Sequence, residues 1–151
     1  MLVFIGSFIL TIITAFIQTT NWIVLGDIIK PNLILVMLIV LGIINPSWIR
    51  RAILILTAAL ILKFTPGAAL FDLIFVGASF LSIVMMDVLP WQRLISLLAA
   101  VAAGTIIINL DHLILLPLVY ELMLNLLLAF ILFALPRLAH VSQIQLQRNK
   151  F

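Results

Sequence analysis

The side chains that could do chemistry in this sequence are few, and most of them stand alone in apolar surroundings. Glu121 lies within the apolar run PLVYELMLNLLL, residues 117–128, and Asn125 follows four residues later, so a helix would place both on one face. A carboxylate there could be a catalytic acid, an ion or substrate ligand, or a polar contact that fastens one helix to its neighbours. At about 12 Å from a helix start at Leu113, it is either protonated or bonded to partners such as Asn125 or Gln18.

The other ionisable groups do not form a recognisable catalytic set. Asp72 and Asp87 lie on one predicted helix more than about 20 Å apart, so their carboxyls cannot act as one acid/base pair. The chain has two histidines and no cysteine, which excludes thiolate chemistry and disulfides and argues against a histidine metal site. Because no Ser/His/Asp set, HExxH motif or glycine-rich phosphate loop is present, the sequence predicts no catalytic residue, no cofactor and no metal.

Composition places these residues in a membrane protein. The chain is 66% hydrophobic and 9% charged, whereas soluble domains carry about 25% charged residues. Its 151 residues allow one compact bundle without a second soluble domain. The eight basic residues are spread thinly between apolar runs, which favours orientation in a membrane over nucleic-acid binding. The first apolar stretch follows no Lys or Arg, so it is predicted to be a retained span and not a secretory signal.

Apolar runs separated by prolines predict six helical segments. These are 2–20, 33–44, 48–63, 68–89, 94–109 and 113–135. Five of the six prolines fall at segment boundaries, where a missing N–H does least harm, namely Pro31, Pro46, Pro66, Pro90 and Pro136. The sixth, Pro117, lies near the start of the last segment, either in its first turn or at a kink. A span needs about 20 helical residues, so the second and third segments are short, and five spans are an alternative.

The basic residues favour six spans over five. With six spans, one side of the membrane holds Arg50, Arg51, Arg93, Arg137, Arg148 and Lys150, and the other holds Lys30 and Lys63. This asymmetry agrees with the positive-inside rule when both termini are cytoplasmic. The sequence therefore predicts an all-α integral membrane protein, with a compact bundle of about six transmembrane helices at 1–136. A basic, polar cytoplasmic tail at 137–151 is expected to lie at the surface or to fray.

Polar or small residues recur at helical spacing in the first and fifth segments. The first helix carries one polar face made of Ser7, Thr11, Thr14 and Gln18. This face predicts hydrogen bonds to neighbouring helices in preference to a polar cavity. On the fifth helix, Ala100 and Gly104 form a small-residue pair that permits close packing, either within the bundle or against a partner. Asp72 and Asp87 are interpreted as interfacial carboxylates, and Asp87 is predicted to pair with Arg93.

Three stretches together resemble the rod shape-determining MreD family of bacterial inner-membrane proteins. The first is TAFIQTTNW with Gln18, and the second is IIKPNLILVMLIVLGI, whose Pro31 and Asn32 resemble the family's entry into its second span. The third is the closing span YELMLNLLLAFILFALPRL with its basic end. The family's glycine-rich middle with an aspartate corresponds here to the region of Asp72, at a different spacing.

The resemblance implies a non-enzymatic scaffold of the cell-elongation complex in the bacterial cytoplasmic membrane. Its partner would be MreC, a single-span periplasmic coiled-coil protein, and through it the MreB filament and the peptidoglycan synthases, with no cofactor and no nucleic acid. Pro31 and Asn32 would set the turn and the cap into the second helix. The candidate polar contacts to a partner span or within the bundle are then Gln18, Pro31, Asn32, Asp72, Glu121 and Asn125.

Two other functions stay open on the sequence alone. The substrate-binding S component of an energy-coupling-factor vitamin transporter is also small, six-helical and very apolar. Those proteins show an Ala-xxx-Ala face on the first helix, where this chain has hydroxyls and Gln18, and the loops here are poor in groups for a soluble vitamin. A small intramembrane enzyme or ion carrier would depend on Glu121. It predicts that Glu121→Gln abolishes activity without unfolding the chain.

Overall fold

The computed structural model describes residues 1–20, 31–63, 69–110 and 114–148, the side chains of Ala69, Phe71 and 135–148 excepted. These residues form six α-helices and no strand, which confirms the all-helical prediction for this part of the chain. The helices are α1 (Leu2–Thr19), α2 (Leu33–Ile44), α3 (Trp48–Leu62), α4 (Ala69–Val88), α5 (Arg93–Ile108) and α6 (Leu115–Arg148). Pro117 falls in the first turn of α6, where it removes no intrahelical bond.

The last helix is longer than the sequence predicts. A boundary was expected at Pro136, but α6 continues through it to Arg148, so that prediction was wrong. The reason is that a proline removes only one backbone hydrogen bond from a helix that is otherwise continuous. The backbone of the tail predicted at 137–151 is therefore helical as far as Arg148. Its side chains, and residues 149–151 as a whole, lie outside the described residues.

The centre of the bundle is α2, the shortest helix. Every residue from Ile34 to Gly42 is buried, and none of the side chains of α2 is polar. A helix that is apolar on all sides needs to be surrounded by protein or lipid, and α2 packs against each of the other five helices. These five follow one another around it in the order α1, α3, α4, α5, α6. Within the described ranges, α1 and α6 do not contact each other.

Side-chain contacts show that successive helices alternate in direction. The ring of Phe4 lies 5.6 Å below the guanidinium of Arg50, so α1 begins where α3 begins. Gln18 bonds to the backbone of Leu33, so α1 ends where α2 begins. Asn109, which follows the last residue of α5, donates a hydrogen bond to Glu121 near the start of α6, so α5 ends where α6 begins. Since α6 then runs in the opposite direction to α5, the start of α1 and the end of α6 lie at the same end of the bundle.

The small residues of α5 serve packing inside the bundle. Ala100 is fully buried, and a Cβ added at Gly104 would lie 2.5 Å from Ser82 Oγ and 3.1 Å from Leu35 Cδ2. Both distances are shorter than ordinary contacts, so α5 approaches α4 and α2 this closely only because Gly104 has no side chain. The pair Ala100 and Gly104 thus joins α5 to its neighbours within one chain.

The outside of the bundle is strongly apolar. Large side chains such as Leu73, Met123 and Leu60 are 70%, 64% and 63% exposed. Among the described residues, two helical segments are long and apolar enough to cross a membrane, Leu2–Thr19 and Leu115–Ala134. Leu33–Ile44 and Arg93–Ile108 are apolar but shorter. Exposed apolar surfaces of this extent mark contacts with a membrane or with other proteins.

Candidate functional site

The amide side chains and the guanidinium of the bundle interior lie at the two ends of α2. A helix of 12 residues is about 18 Å long, and the groups that flank α2 are buried, since Asn32 and Asn45 are 8% and 1% exposed. The first N–H groups and the last carbonyls of any helix have no partner within the helix. Because the residues that flank α2 are buried, neighbouring side chains supply many of these partners.

Three side-chain oxygens satisfy the amino-terminal end of α2. Asn32 is the N-cap, as expected, and its Oδ1 accepts a hydrogen bond from Leu35 N at 3.2 Å. Gln18 of α1 accepts from Leu33 N through Oε1 at 3.0 Å. Asn125 of α6 accepts from Asn32 N through Oδ1 at 2.9 Å. One end of the central helix is therefore fixed to both α1 and α6.

The Asn125 amide continues this network towards α5. Its Nδ2 donates to Thr105 Oγ1 at 3.0 Å, and Thr105 in turn donates to the carbonyl of Val101 at 2.9 Å. Asn109 Nδ2 donates to the carbonyl of Thr105 at 2.9 Å and to Glu121 Oε2 at 3.1 Å. Glu121 thus lies at the margin of the network and joins α6 to the end of α5. We call this set the asparagine end, which comprises Gln18, Asn32, Thr105, Asn109, Glu121 and Asn125.

One arginine satisfies the carboxyl-terminal end of α2. Arg51 of α3 is 5% exposed, and its Nε donates to the carbonyls of Gly42 at 3.1 Å and of Asn45 at 2.7 Å. Its two terminal nitrogens face the carboxylate of Asp87 on α4, with Nη2 3.3 Å from Oδ1. The guanidinium also lies 4.8 Å from the ring centroid of Trp48. A single side chain therefore joins α2, α3 and α4 at what we call the arginine end.

The predicted pair between Asp87 and Arg93 is wrong, because Asp87 pairs with Arg51. The side chain of Arg51 is 6% exposed, and a cation this deeply buried requires an anionic partner. Arg93 is exposed at the start of α5 and meets no such requirement. It lines a cavity of about 270 Å³ beside the ion pair, together with Ser96.

The polar face predicted on α1 is buried, and most of its hydroxyls bond within α1. Ser7, Thr11 and Thr14 each donate to the carbonyl four residues earlier, at 2.9, 2.9 and 2.7 Å. Only the two ends of the face reach another helix. Ser7 Oγ accepts from Asn45 Nδ2 at 3.0 Å, and Gln18 caps α2. The face therefore attaches α1 to both ends of α2.

The structure brings four of the six candidate residues together, and a fifth lies beside them. Gln18, Asn32, Glu121 and Asn125 belong to the asparagine end, and Pro31, buried next to them, precedes the cap. Asp72 does not join this group. It lies between α3 and α4, in a lateral cavity that it shares with Lys63.

Sequence reasoning missed Arg51, Asn45, Thr105 and Asn109 as members of these networks. Two of them carry a local signal, since Asn45 and Asn109 each follow the last residue of a helix, where carbonyls need donors. From the sequence, Arg51 was used only to orient the chain in the membrane. The short apolar helix before it nevertheless indicates that the last carbonyls of that helix need a donor nearby. Nothing in the local sequence of Thr105 points to a bond with Asn125.

The arrangement is suited to fastening helices. Among the described residues, no group of three His, Cys, Asp or Glu side chains is placed to hold a metal ion. The interior amides and the buried guanidinium bond mainly to backbone groups at helix ends. These contacts orient helices relative to one another.

We expect Glu121→Gln to change the stability of the isolated chain by about 0.5 kcal/mol or less. The glutamine amide keeps an oxygen that accepts the bond from Asn109. Glu121→Leu removes that acceptor and is expected to lower the free energy of unfolding by about 1 kcal/mol. Thermal unfolding in detergent, followed by circular dichroism, measures both variants. A glutamine variant as unstable as the leucine variant would show that the negative charge is required.

Two networks thus fix the central helix to its neighbours. Comparison of the chain with protein-family models, with curated proteins and with solved structures finds no match.

Proposed function

We propose that the chain is a non-enzymatic membrane scaffold of the MreD type, which binds a single-span, coiled-coil partner within the bacterial cell-elongation complex. The observation that carries this proposal is the use of the interior polar groups. Arg51, Asn125 and Gln18 bond to backbone atoms at the ends of α2, where they set the relative positions of helices. A rigid bundle with an apolar outer surface provides what a scaffold needs to present a fixed face to other membrane helices.

In this proposal all six helices lie in the bacterial cytoplasmic membrane. The shortness of α2 is tolerated because its end groups bond within the protein and need no water. Arg50, Arg51 and Arg93 occupy one end of the bundle, and the positive-inside rule makes that end cytoplasmic. The alternating directions of the helices then put both termini in the cytoplasm, with the asparagine end towards the periplasm.

The test is gentle solubilisation of native membranes, affinity purification of the tagged full chain and mass spectrometry of what accompanies it. We expect a single-span protein with a periplasmic coiled coil, with or without cell-wall synthases. The matched control is an unrelated multi-span protein carrying the same tag, which should not recover that partner. A pair of ATPases with a larger helical subunit would contradict the scaffold and indicate vitamin uptake. Recovery of no partner would also contradict the scaffold and would favour the enzyme or ion carrier that depends on Glu121.

A further inference from the structure

The helices α3 and α4 leave an open groove between them on the lateral surface of the bundle. Two adjoining cavities of about 480 and 330 Å³ share Leu56 and Val76 and form one channel along both helices. We call it the α3/α4 groove, and its lining includes Ala52, Leu56, Lys63, Asp72, Val76 and Gly77. A Cβ added at Gly77 would meet nothing within 4 Å, so the groove has room for another chain's atoms.

One end of the groove carries an unsatisfied carboxylate oxygen. Oδ2 of Asp72 is buried and has no hydrogen-bond partner among the described residues. Lys63 lines the same cavity, but no salt bridge joins it to Asp72 in this part of the chain. A buried acceptor without a donor is unfavourable, and that cost is removed when a ligand supplies the donor. The groove is therefore chemically incomplete at Asp72.

A second lateral groove, between α5 and α6, shows the contrast. Its cavity measures about 580 Å³ and is lined by residues such as Leu98, Met123, Leu127 and Phe130. The acyl chains of lipids can fill such a site, since Tyr120, which also lines it, is 48% exposed and is not among the buried groups without a partner. The same chains would fill the apolar part of the α3/α4 groove but would bring no donor to Asp72.

We propose that the α3/α4 groove docks the transmembrane helix of the single-span partner, with a hydrogen-bond donor or basic side chain of that helix directed at Asp72. The inference rests on the proposed function, to which it adds the docking face. From Ala52 to Lys63 the groove extends about 16 Å, which is three turns of an approaching helix and permits anchors at i, i+3 or i+4, and i+7. Ala52 and Gly77 allow that helix to come close.

A second copy of this chain fits the groove less well. Most of the large side chains that it exposes are apolar, including Leu10, Ile13 and Leu81, and these would leave Asp72 without a donor. The exposed donors Trp48 and Trp91 lie beside Arg51, at the end of the bundle away from Asp72. A second copy would therefore have to direct Tyr120 at Asp72. A partner helix with a donor at the matching depth satisfies both parts of the site.

Site-specific photo-cross-linking in the full chain, in native membranes, tests the docking face. One cross-linker replaces Leu73, which is 70% exposed in the α3/α4 groove, and the control replaces Met123, which is 64% exposed in the α5/α6 groove. We expect the partner's span to be captured from position 73 and lipid from position 123. If the partner still co-purifies, two results would overturn the docking face and leave the scaffold intact. One is capture of the partner from position 123 alone, and the other is capture of a second copy, or of lipid only, from position 73. Absence of the partner from both experiments would overturn both proposals.

Two matched substitutions provide an independent measurement. Gly77 and Gly6 are both exposed, and an added Cβ meets nothing within 4 Å at either position. We expect Gly77→Leu to fill the groove and reduce recovery of the co-purifying partner at least tenfold, whereas Gly6→Leu leaves recovery unchanged. Equal recovery in the two variants would contradict the inference.

Asp72→Leu separates a docking role from a structural one. It removes the unsatisfied carboxylate, so we expect the isolated chain to unfold at a higher temperature while recovery of the partner falls at least tenfold. If Asp72 served the bundle alone, stability would fall in the variant. A stable variant with undiminished recovery of the partner would also contradict the inference.

Discussion

Arg51→Met is expected to lower the free energy of unfolding by about 3 kcal/mol or more. The substitution keeps most of the apolar stem but removes the donors to the carbonyls of Gly42 and Asn45. It also leaves Asp87 without the cation that faces it. The carbonyls of Gly42 and Asn45 belong to buried residues, so losing their donor is costly. Reversible unfolding of the purified chain in detergent measures the change.

Two further variants show which of these losses dominates. Asp87→Asn leaves both carbonyl bonds of Arg51 in place, so we expect it to cost less than Arg51→Met. Arg51→Lys keeps the charge but cannot form the same forked contacts, so its stability should lie between that of Arg51→Met and that of the wild type. If Arg51→Met unfolded within about 0.5 kcal/mol of the wild type, Arg51 would not be the residue that closes this end of α2.

Asn125→Leu is the second substitution with a large expected effect, about 1–3 kcal/mol in the free energy of unfolding. Leucine has a similar size but provides neither the acceptor for Asn32 N nor the donor to Thr105. The N–H of Asn32 is then buried without a partner, and α6 loses its polar attachment to α2. Hydrogen–deuterium exchange of the first turn of α2, together with the unfolding free energy, reports the effect.

Glu121→Leu is the matched control for this prediction, since Glu121 lies one turn before Asn125 on the same face of α6. Glu121 accepts a hydrogen bond from Asn109 at the end of α5, and it makes no hydrogen bond to any described residue of α2. Exchange in the first turn of α2 should therefore rise more in the Asn125 variant than in the Glu121 variant. The assignment of Asn125 as the central residue would be wrong if the Glu121 variant showed the larger effect.

The helices could be read from the sequence because their causes are local. Runs of apolar residues and the placement of Pro31, Pro46 and Pro90 put most helix limits close to their positions in the structure. Asn32 was also identifiable, since an asparagine before an apolar run is a common N-cap. Pro136 misled because the same local signal marks both a boundary and a tolerated interruption.

The partners of the polar residues could not be read in the same way. Whether Asp87 meets Arg93 or Arg51 depends on how α3 and α4 pack, and Arg93 is the nearer residue in sequence. The bond from Asn32 to Asn125 joins positions 93 residues apart. No short-range pattern encodes such a pair, because its geometry is set by the packing of whole helices around α2.

The dependence of α2 on α6 also has a consequence for how the protein is made. The acceptor for Asn32 N is on α6, and the chain between them must be synthesised first. During that interval α2 has its own cap from Asn32 but lacks Asn125, so the nascent bundle holds a buried donor that is not yet paired. A product that terminates early, before residue 125, retains that defect permanently. Pairing of this donor thus requires that synthesis has passed residue 125.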